Sequence, residues 1–451
     1  MDNTHVQAPE PSAAAVGPAP ALAPIAAAPS VVRRTGMRLW AYKTLQTLAS
    51  LRITVVLFVL SIILVFCGTL AQVDGGIWTV VAKYFRSFYV WIPFQIFAPR
   101  SQGYLPVSGG FPFPGGWLLG SLLLVNLLAA HAIRFKATWK RSGIILLHAG
   151  LIVIMLGELI TGLFAVEGSM LIYQGGSTNF VMHPRESELA VIFPTSGDTG
   201  EVVVIPMAFL RRTGEPIKHD ALPFDVEVLQ YMVNCRVCKQ KMPEEFVTLA
   251  YGDLPDAPPG ADNPASTGVG LKYYVAVPLP ESGGIEQSKE DQAGAYVRFR
   301  HKGTGKDLGT YMLSALLQDE PQYVTVDGKK YDVRLRLKRS YKPYTMTLIQ
   351  FRHDKYVGTE KPKNFSSYVH LTDPSRNEDR KVHISMNDPL RYGGETFYQQ
   401  SFLSGDRATI LQVVQNPGWL MPYISCVMVA VGMLIHFGFK MQSFLERRAA
   451  Q

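Results

Sequence analysis

The sequence predicts a membrane protein of four transmembrane helices with a large extracytoplasmic, mainly-β domain, a sandwich or a partly open barrel. Three observations carry that prediction. Four apolar runs are long enough to cross a bilayer as helices. Basic residues crowd one side of all four runs. The long stretch between the third and fourth runs lacks an apolar helical pattern and is rich in short alternating segments. Composition agrees: 47% of the 451 residues are hydrophobic and only 18% are charged, low for a wholly soluble chain. The net charge of +8 is dispersed along the chain, with no basic stripe of the kind that binds nucleic acid.

Taken in order, residues 1–32 are rich in Ala and Pro without periodicity, and read as a disordered cytoplasmic tail. Positive charges follow that tail, so it is not a signal peptide, and the next apolar segment reads as a retained anchor. Residues 33–164 form a three-span region. Its spans are Ile53–Ala71, Trp117–Ile133 and Gly143–Phe164, with an outer loop at 72–116. The aromatic stretch 79–97 in that loop is expected to lie as a helix in the bilayer interface, or to pack as an ordinary loop against the bundle. Trp419–Phe439 is the fourth span, and 440–451 a short cytoplasmic tail. Arg33, Arg34, Arg38, Lys43 and Arg52 precede the first span. Arg134, Lys136, Lys140 and Arg141 fill the link between the second and third, and Lys440, Arg447 and Arg448 follow the fourth. All fall on one side when both termini are cytoplasmic, which places residues 165–418 outside the inner membrane.

Within 165–418, β-type runs occur at 201–210, 224–233, 271–280, 331–341, 344–353, 381–386, 395–402 and 408–416. Lys342 and Pro343 read as a turn between two of these, and 311–316 as the start of a short helix. No Walker loop, nucleophile elbow or paired-histidine zinc helix is present.

The chemistry lies in the membrane. His148 sits five residues inside the third span, about 7 to 8 Å into the apolar layer. An ionisable side chain there is costly without a partner, and a neutral imidazole is a good iron ligand. His131 and His436 lie near the inner ends of the second and fourth spans, at a similar level. All three are candidate haem ligands. The competing reading makes His131 and His436 interfacial polar tips, and His148 one end of an interhelical hydrogen bond. Glu158 is about 15 Å further along the third span, too far to share the same haem edge. Cys235 and Cys238 form a Cys-x-x-Cys that supports either a disulfide or dithiol chemistry. With no second pair, structural zinc is not expected. Cys67 and Cys426 lie in apolar runs and read as packing residues.

Several motifs together resemble one family. They are LASLRITVVLFVLSIILVFCGTLAQV at 48–73, KYF at 83–85 and GIILLHAGLIVIMLGELITG in the third span. FSSYVHL at 365–371, ISMNDPLRYGGETFYQQSF at 384–402 and QNPG at 415–418 complete the set. The chain resembles ResB (CcsB) proteins across roughly residues 40–445. The resemblance implies a subunit of the System II cytochrome c maturation machinery, which carries haem b outward for attachment to apocytochrome c. It implies that His148 is an axial ligand to the haem iron, with the opposing ligand from a CcsA-type membrane subunit. A thioredoxin-like thiol reductant is a further implied partner. The six isolated tryptophans provide no Trp-rich haem loop, so the chain is expected to be a non-autonomous part of a haem lyase. Two other readings are kept: a membrane-anchored thiol oxidoreductase using Cys235 and Cys238, and a structural scaffold without haem ligands.

Overall fold

The computed structural model describes residues 36–99, 102–134, 138–193, 200–240, 254–281, 291–318, 320–358, 362–403 and 405–450. The tail expected over 1–32 lies outside them. Four helices are long and apolar enough to cross a membrane, and they make this a multi-pass membrane protein. We name α1 Gly36–Leu48, α2 Leu51–Val80, α3 Gly116–Arg134 and α4 Ser142–Phe164; the last helix is Met421–Ala449. α1 is too short and polar to span and stops at Leu48. The break before α2 is clamped by Asn126 of α3, a polar residue only 4% exposed inside an apolar helix. Its amide donates to the Leu48 and Ser50 carbonyls and accepts from Thr54 Oγ1 at 2.7 Å. These bonds satisfy the carbonyls that a helix break leaves open.

α4 and the last helix pack most closely, and the sequence explains why. Gly143, Gly150 and Gly157 recur every seven residues and form one buried stripe. A Cβ at Gly143 would stand 2.5 Å from the His436 backbone nitrogen, and one at Gly157 2.8 Å from Met421 Cβ. Gly432 answers from the other helix, where a Cβ would meet Leu147 N at 2.7 Å. Small residues let the backbones approach, the usual device where lipid removes the hydrophobic drive for helix association. Ser425 Oγ donates to the Gly150 carbonyl at 2.8 Å across the same contact.

The loop after the first span departs from expectation. α2 continues to Val80, kinks at Gly76, whose φ of 69° suits glycine, and widens into a π-type turn over Val81–Phe85. Tyr89–Pro93 then forms a strand paired with Gly110–Pro114, not an interfacial helix. The reason is a period of two: Val90 and Ile92 are buried while Tyr89 and Trp91 are exposed.

The β domain has two cores that share long strands. The first is a sandwich. A four-stranded sheet built on Phe224–Met232, Gly294–His301 and Asp307–Ser314 packs Phe224, Val226 and Phe299 against Leu189, Val333 and Leu335. The second core fills a nearly closed, barrel-like sheet. Its strand order is Glu378–Ser385, Pro362–Asp373, Lys329–Lys355, Ser177–Ile192, Val166–Tyr173, Ala408–Gln415, Glu395–Phe402 and Leu390–Tyr392. Met170, Ile172, Met346, Leu348, Phe397 and Leu411 fill its interior. Each such side chain contributes about 1.5–3 kcal/mol by burial. Both edge strands meet at a short turn, where Ser385 bridges Asp388. The sequence expectation of a sandwich or partly open barrel therefore holds in both halves.

Two local expectations are corrected. Lys342 and Pro343 do not form a turn: Lys329–Lys355 is one strand. Its register shifts between Tyr341 and Met346. An irregularity of that kind tolerates a proline that cannot donate. Residues 311–314 finish a strand, and only Ala315–Leu317 turn into a 3-10 helix.

The motif at 384–402 builds the barrel seam. Gly393 and Gly394 have φ of 62° and 82° and close a two-residue hairpin between Tyr392 and Glu395. Glu395 accepts from Lys342 Nζ at 2.6 Å and from the Tyr344 hydroxyl. Burial and the Glu395 carboxylate push the Tyr344 phenol far above its ordinary range. Gln399 joins Ser367 and Thr409 in a buried network of 2.6–2.8 Å bonds, and Tyr392 donates to Asp373 at 2.7 Å.

Candidate functional site

α3 and α4 are joined by residues 135–141, a link short enough to make them antiparallel neighbours. His131 lies three residues before the end of α3, and His148 six residues after the start of α4. At 1.5 Å per residue, both stand about 5 to 9 Å from the link. The fold brings them together: their ring centroids are 5.5 Å apart, with planes at 62°. Both rings are half-buried.

Each imidazole is oriented by its own helix. His148 Nδ1 donates to the Ile144 carbonyl at 2.9 Å, and His131 Nδ1 to the Leu127 carbonyl at 3.1 Å. A carbonyl can only accept, so the proton resides on Nδ1 and Nε2 carries the lone pair. That tautomer, fixed by a bond to the other nitrogen, is the form that ligates a metal. The residues present thus fit an axial ligand to haem iron. The edge-to-face contact leaves no layer between the rings for a porphyrin plane. As they stand, the two imidazoles do not clamp one haem from both faces. One can ligate while the other packs against it.

His436 does not join this pair. Its backbone packs on Gly143, five residues from His148 and therefore about 140° around α4. Its ring lies 5.7 Å from Phe437. Glu158 lies at the β-domain end of α4, where it lines a cleft of about 670 Å³ with Arg86, Trp117 and Met155. Sequence reasoning placed each histidine at a depth but did not pair His131 with His148. The signal was available in the short link, which forces the two helix ends together.

The Cys-x-x-Cys forms no disulfide. Cys235 and Cys238 are both free and buried on the strand Cys235–Lys239. Positions three apart on a strand point to opposite faces. Cys235 packs in a core with Val237 and Tyr296, and burial pushes its thiol up to about 11. The Cys238 thiol is raised by burial as well. Thiols so raised are poor nucleophiles at neutral pH. The β-domain histidines are dispersed, as with His353 beside Asp406 and His370 beside Asp379. No group of three or more metal-ligating side chains occurs among the described residues.

Cation–π contacts join the membrane helices to the β domain. The Arg185 guanidinium lies 4.0 Å from the Trp78 ring centroid, and that of Arg391 3.9 Å from Trp419. Asn416 of the QNPG motif accepts from Thr161 Oγ1 at 3.1 Å, seating the start of the last helix against the end of α4.

Comparison with known proteins agrees with this architecture. The ResB-like family model matches residues 130–246 and 308–410, which include His131, His148 and the barrel-seam motif. The chain is thus similar to ResB-like proteins over those two stretches. It is also 26% identical over 320 residues to Protein NrfI of Wolinella succinogenes, covering 70% of this chain. The chain matches only 29% of that relative's length.

Proposed function

We propose that this chain acts in cytochrome c biogenesis as a haem-handling membrane subunit of a System II cytochrome c synthetase. Haem is its cargo. His148 Nε2 would ligate the iron, with His131 packed against the His148 ring to hold its orientation. Haem iron bound to a protein imidazole stays in a defined coordination and redox state during transfer. The second axial position is left for a CcsA-type partner, consistent with a histidine pair too close to hold both faces. The β domain would face the outer side of the inner membrane and meet apocytochrome c there. The observation that carries the reading is the His148 imidazole, oriented through Nδ1 by the Ile144 carbonyl inside an apolar bundle.

The test is the visible spectrum of the full-length protein purified with its membrane partner. A Soret band that is strong in the wild type and weak in His148→Ala, at equal protein level, is the expected result. Equal haem content in both would remove His148 from the site. The thiol-oxidoreductase reading requires two cysteines that meet, and the opposite faces of Cys235 and Cys238 weigh against it.

A further inference from the structure

The two cores of the β domain meet where Lys329–Lys355 passes from one to the other, and that seam is polar. Val333 and Leu335 belong to the sandwich core, Tyr344 and Met346 to the barrel core. Between them, Arg336 pairs with Glu188 at 2.9 Å, their side chains 3% and 5% exposed. Arg339 follows one bulge later, its guanidinium 4.2 Å from the centroid of the Phe180 ring. The neighbouring carboxylates are engaged elsewhere: Glu186 holds Lys338 at 2.7 Å, and Glu395 holds Lys342 at 2.6 Å. Glu188 is thus the carboxylate whose charge reaches both guanidiniums, and Arg339 also bonds the Tyr341 side chain.

Arg336 Nη2 and Arg339 Nε are buried with no hydrogen-bond partner among the described residues. A buried, open guanidinium N–H has lost water and gained nothing in exchange. Two guanidiniums against one carboxylate also leave an excess positive charge, which protein interiors pair. His183, 3.0 Å from Ser340 Oγ, is held below the ordinary imidazole range by burial and by Lys338. An anionic group with two acceptor oxygens would match the forked donors of arginine.

Position narrows the ligand. Met182 is the register partner of Arg339, and Arg185, three residues on, stacks on Trp78 of α2. The seam therefore lies at most about 10 Å of strand from an arginine that touches α2. Phe180 and Tyr341 meet edge to face at 5.7 Å beside Arg339, and Tyr341 is 58% exposed. They offer apolar surface next to the cationic pair. We propose that Arg336 and Arg339 form an anion-binding site that takes the oxyanion of an amphipathic ligand arriving from the membrane. For the ligand's identity this rests on the haem-handling reading, in which a haem propionate supplies the carboxylate. A phospholipid phosphate is the other source of the same chemistry.

The test uses the full-length protein in neutral detergent. Haem and haem dimethyl ester, whose propionates are blocked, are titrated into wild type and Arg339→Gln. Thermal midpoints are read with and without inorganic phosphate, and in nanodiscs of phosphatidylcholine with and without phosphatidylglycerol. Arg339 has no carboxylate of its own, so its replacement strands no buried acid. The site predicts a preference for haem over the ester of roughly tenfold, the worth of one charge-assisted hydrogen bond, lost in Arg339→Gln. No ester discrimination, but a phosphate- or phosphatidylglycerol-dependent rise in midpoint that Arg339→Gln lacks, establishes the site with a lipid phosphate as occupant. If wild type shows neither discrimination nor an anion-dependent rise, the proposal is overturned, whatever the variant does. His148→Ala separates the two readings: it should lose its Soret band and keep the phosphate response.

Discussion

At the residue scale, the function proposed here depends on one imidazole and its orientation. His148 is held through Nδ1 by Ile144 and touched by the His131 ring. If His148 ligates and His131 only supports it, the two should respond differently to substitution. His148→Gly should lose haem and regain part of it with added imidazole, because a free ligand can fill the gap. His131→Phe keeps a ring against His148 and should retain most of the haem, whereas His131→Ala should retain less. Soret absorbance per mole of purified protein reads all three. Equal loss in both His131 variants, together with imidazole rescue of His131→Gly, would reassign the ligand to His131. The cysteines invite the opposite expectation. With both thiols buried on opposite faces of a strand and raised by burial, Cys235→Ser/Cys238→Ser should keep most of its cytochrome c maturation activity at matched membrane level. Complete loss of maturation, reversed by a small added thiol, would restore the oxidoreductase reading.

At the element scale, the decisive contact is the glycine stripe of α4 against the last helix. A Cβ at Gly150 would stand 2.8 Å from Val429 Cγ2 and 3.1 Å from the Ser425 carbonyl. Gly150→Leu must therefore push the helices apart, at a cost of about 1–3 kcal/mol, as for overpacking elsewhere. Gly120→Ala on α3 is the control, since nothing lies within 4 Å of its Cβ position. Thermal unfolding in detergent should show a lowered midpoint for the first and none for the second. An unchanged midpoint in Gly150→Leu would mean that the two helices do not pack as described. The stripe was readable in the sequence as a repeat of seven, but a heptad of glycines names no partner. Asn126 is similar: a polar residue in an apolar run signals a bond, while its partners at Leu48, Ser50 and Thr54 come from another helix.

At the scale of the whole molecule, delivery of haem outward requires the β domain on the outer side. The three basic groups flanking the spans predict that arrangement, with both termini inside. Alkaline phosphatase fused near residue 300 should be active, and a cytoplasm-dependent reporter fused there silent. The reverse pattern would reject the topology and the outward-delivery argument together. Much of the architecture was already legible at this scale. Span number and order, the β character of 165–418 and the ResB resemblance follow from hydropathy, period and short motifs. These are local properties, each set by a residue and its neighbours along the chain. Other features needed the folded chain. Lys329–Lys355 read as two strands because Lys342 and Pro343 are turn residues, yet it continues through them because it bridges two cores. Cys235 and Cys238 read as a pair because they are close in sequence, and strand geometry then turned them apart. His131 and His148 read as separate residues, and an antiparallel helix pair set one against the other. Periodicity along a chain determines which face of an element is apolar. Which faces then meet depends on packing between distant segments, and that only the tertiary structure decided.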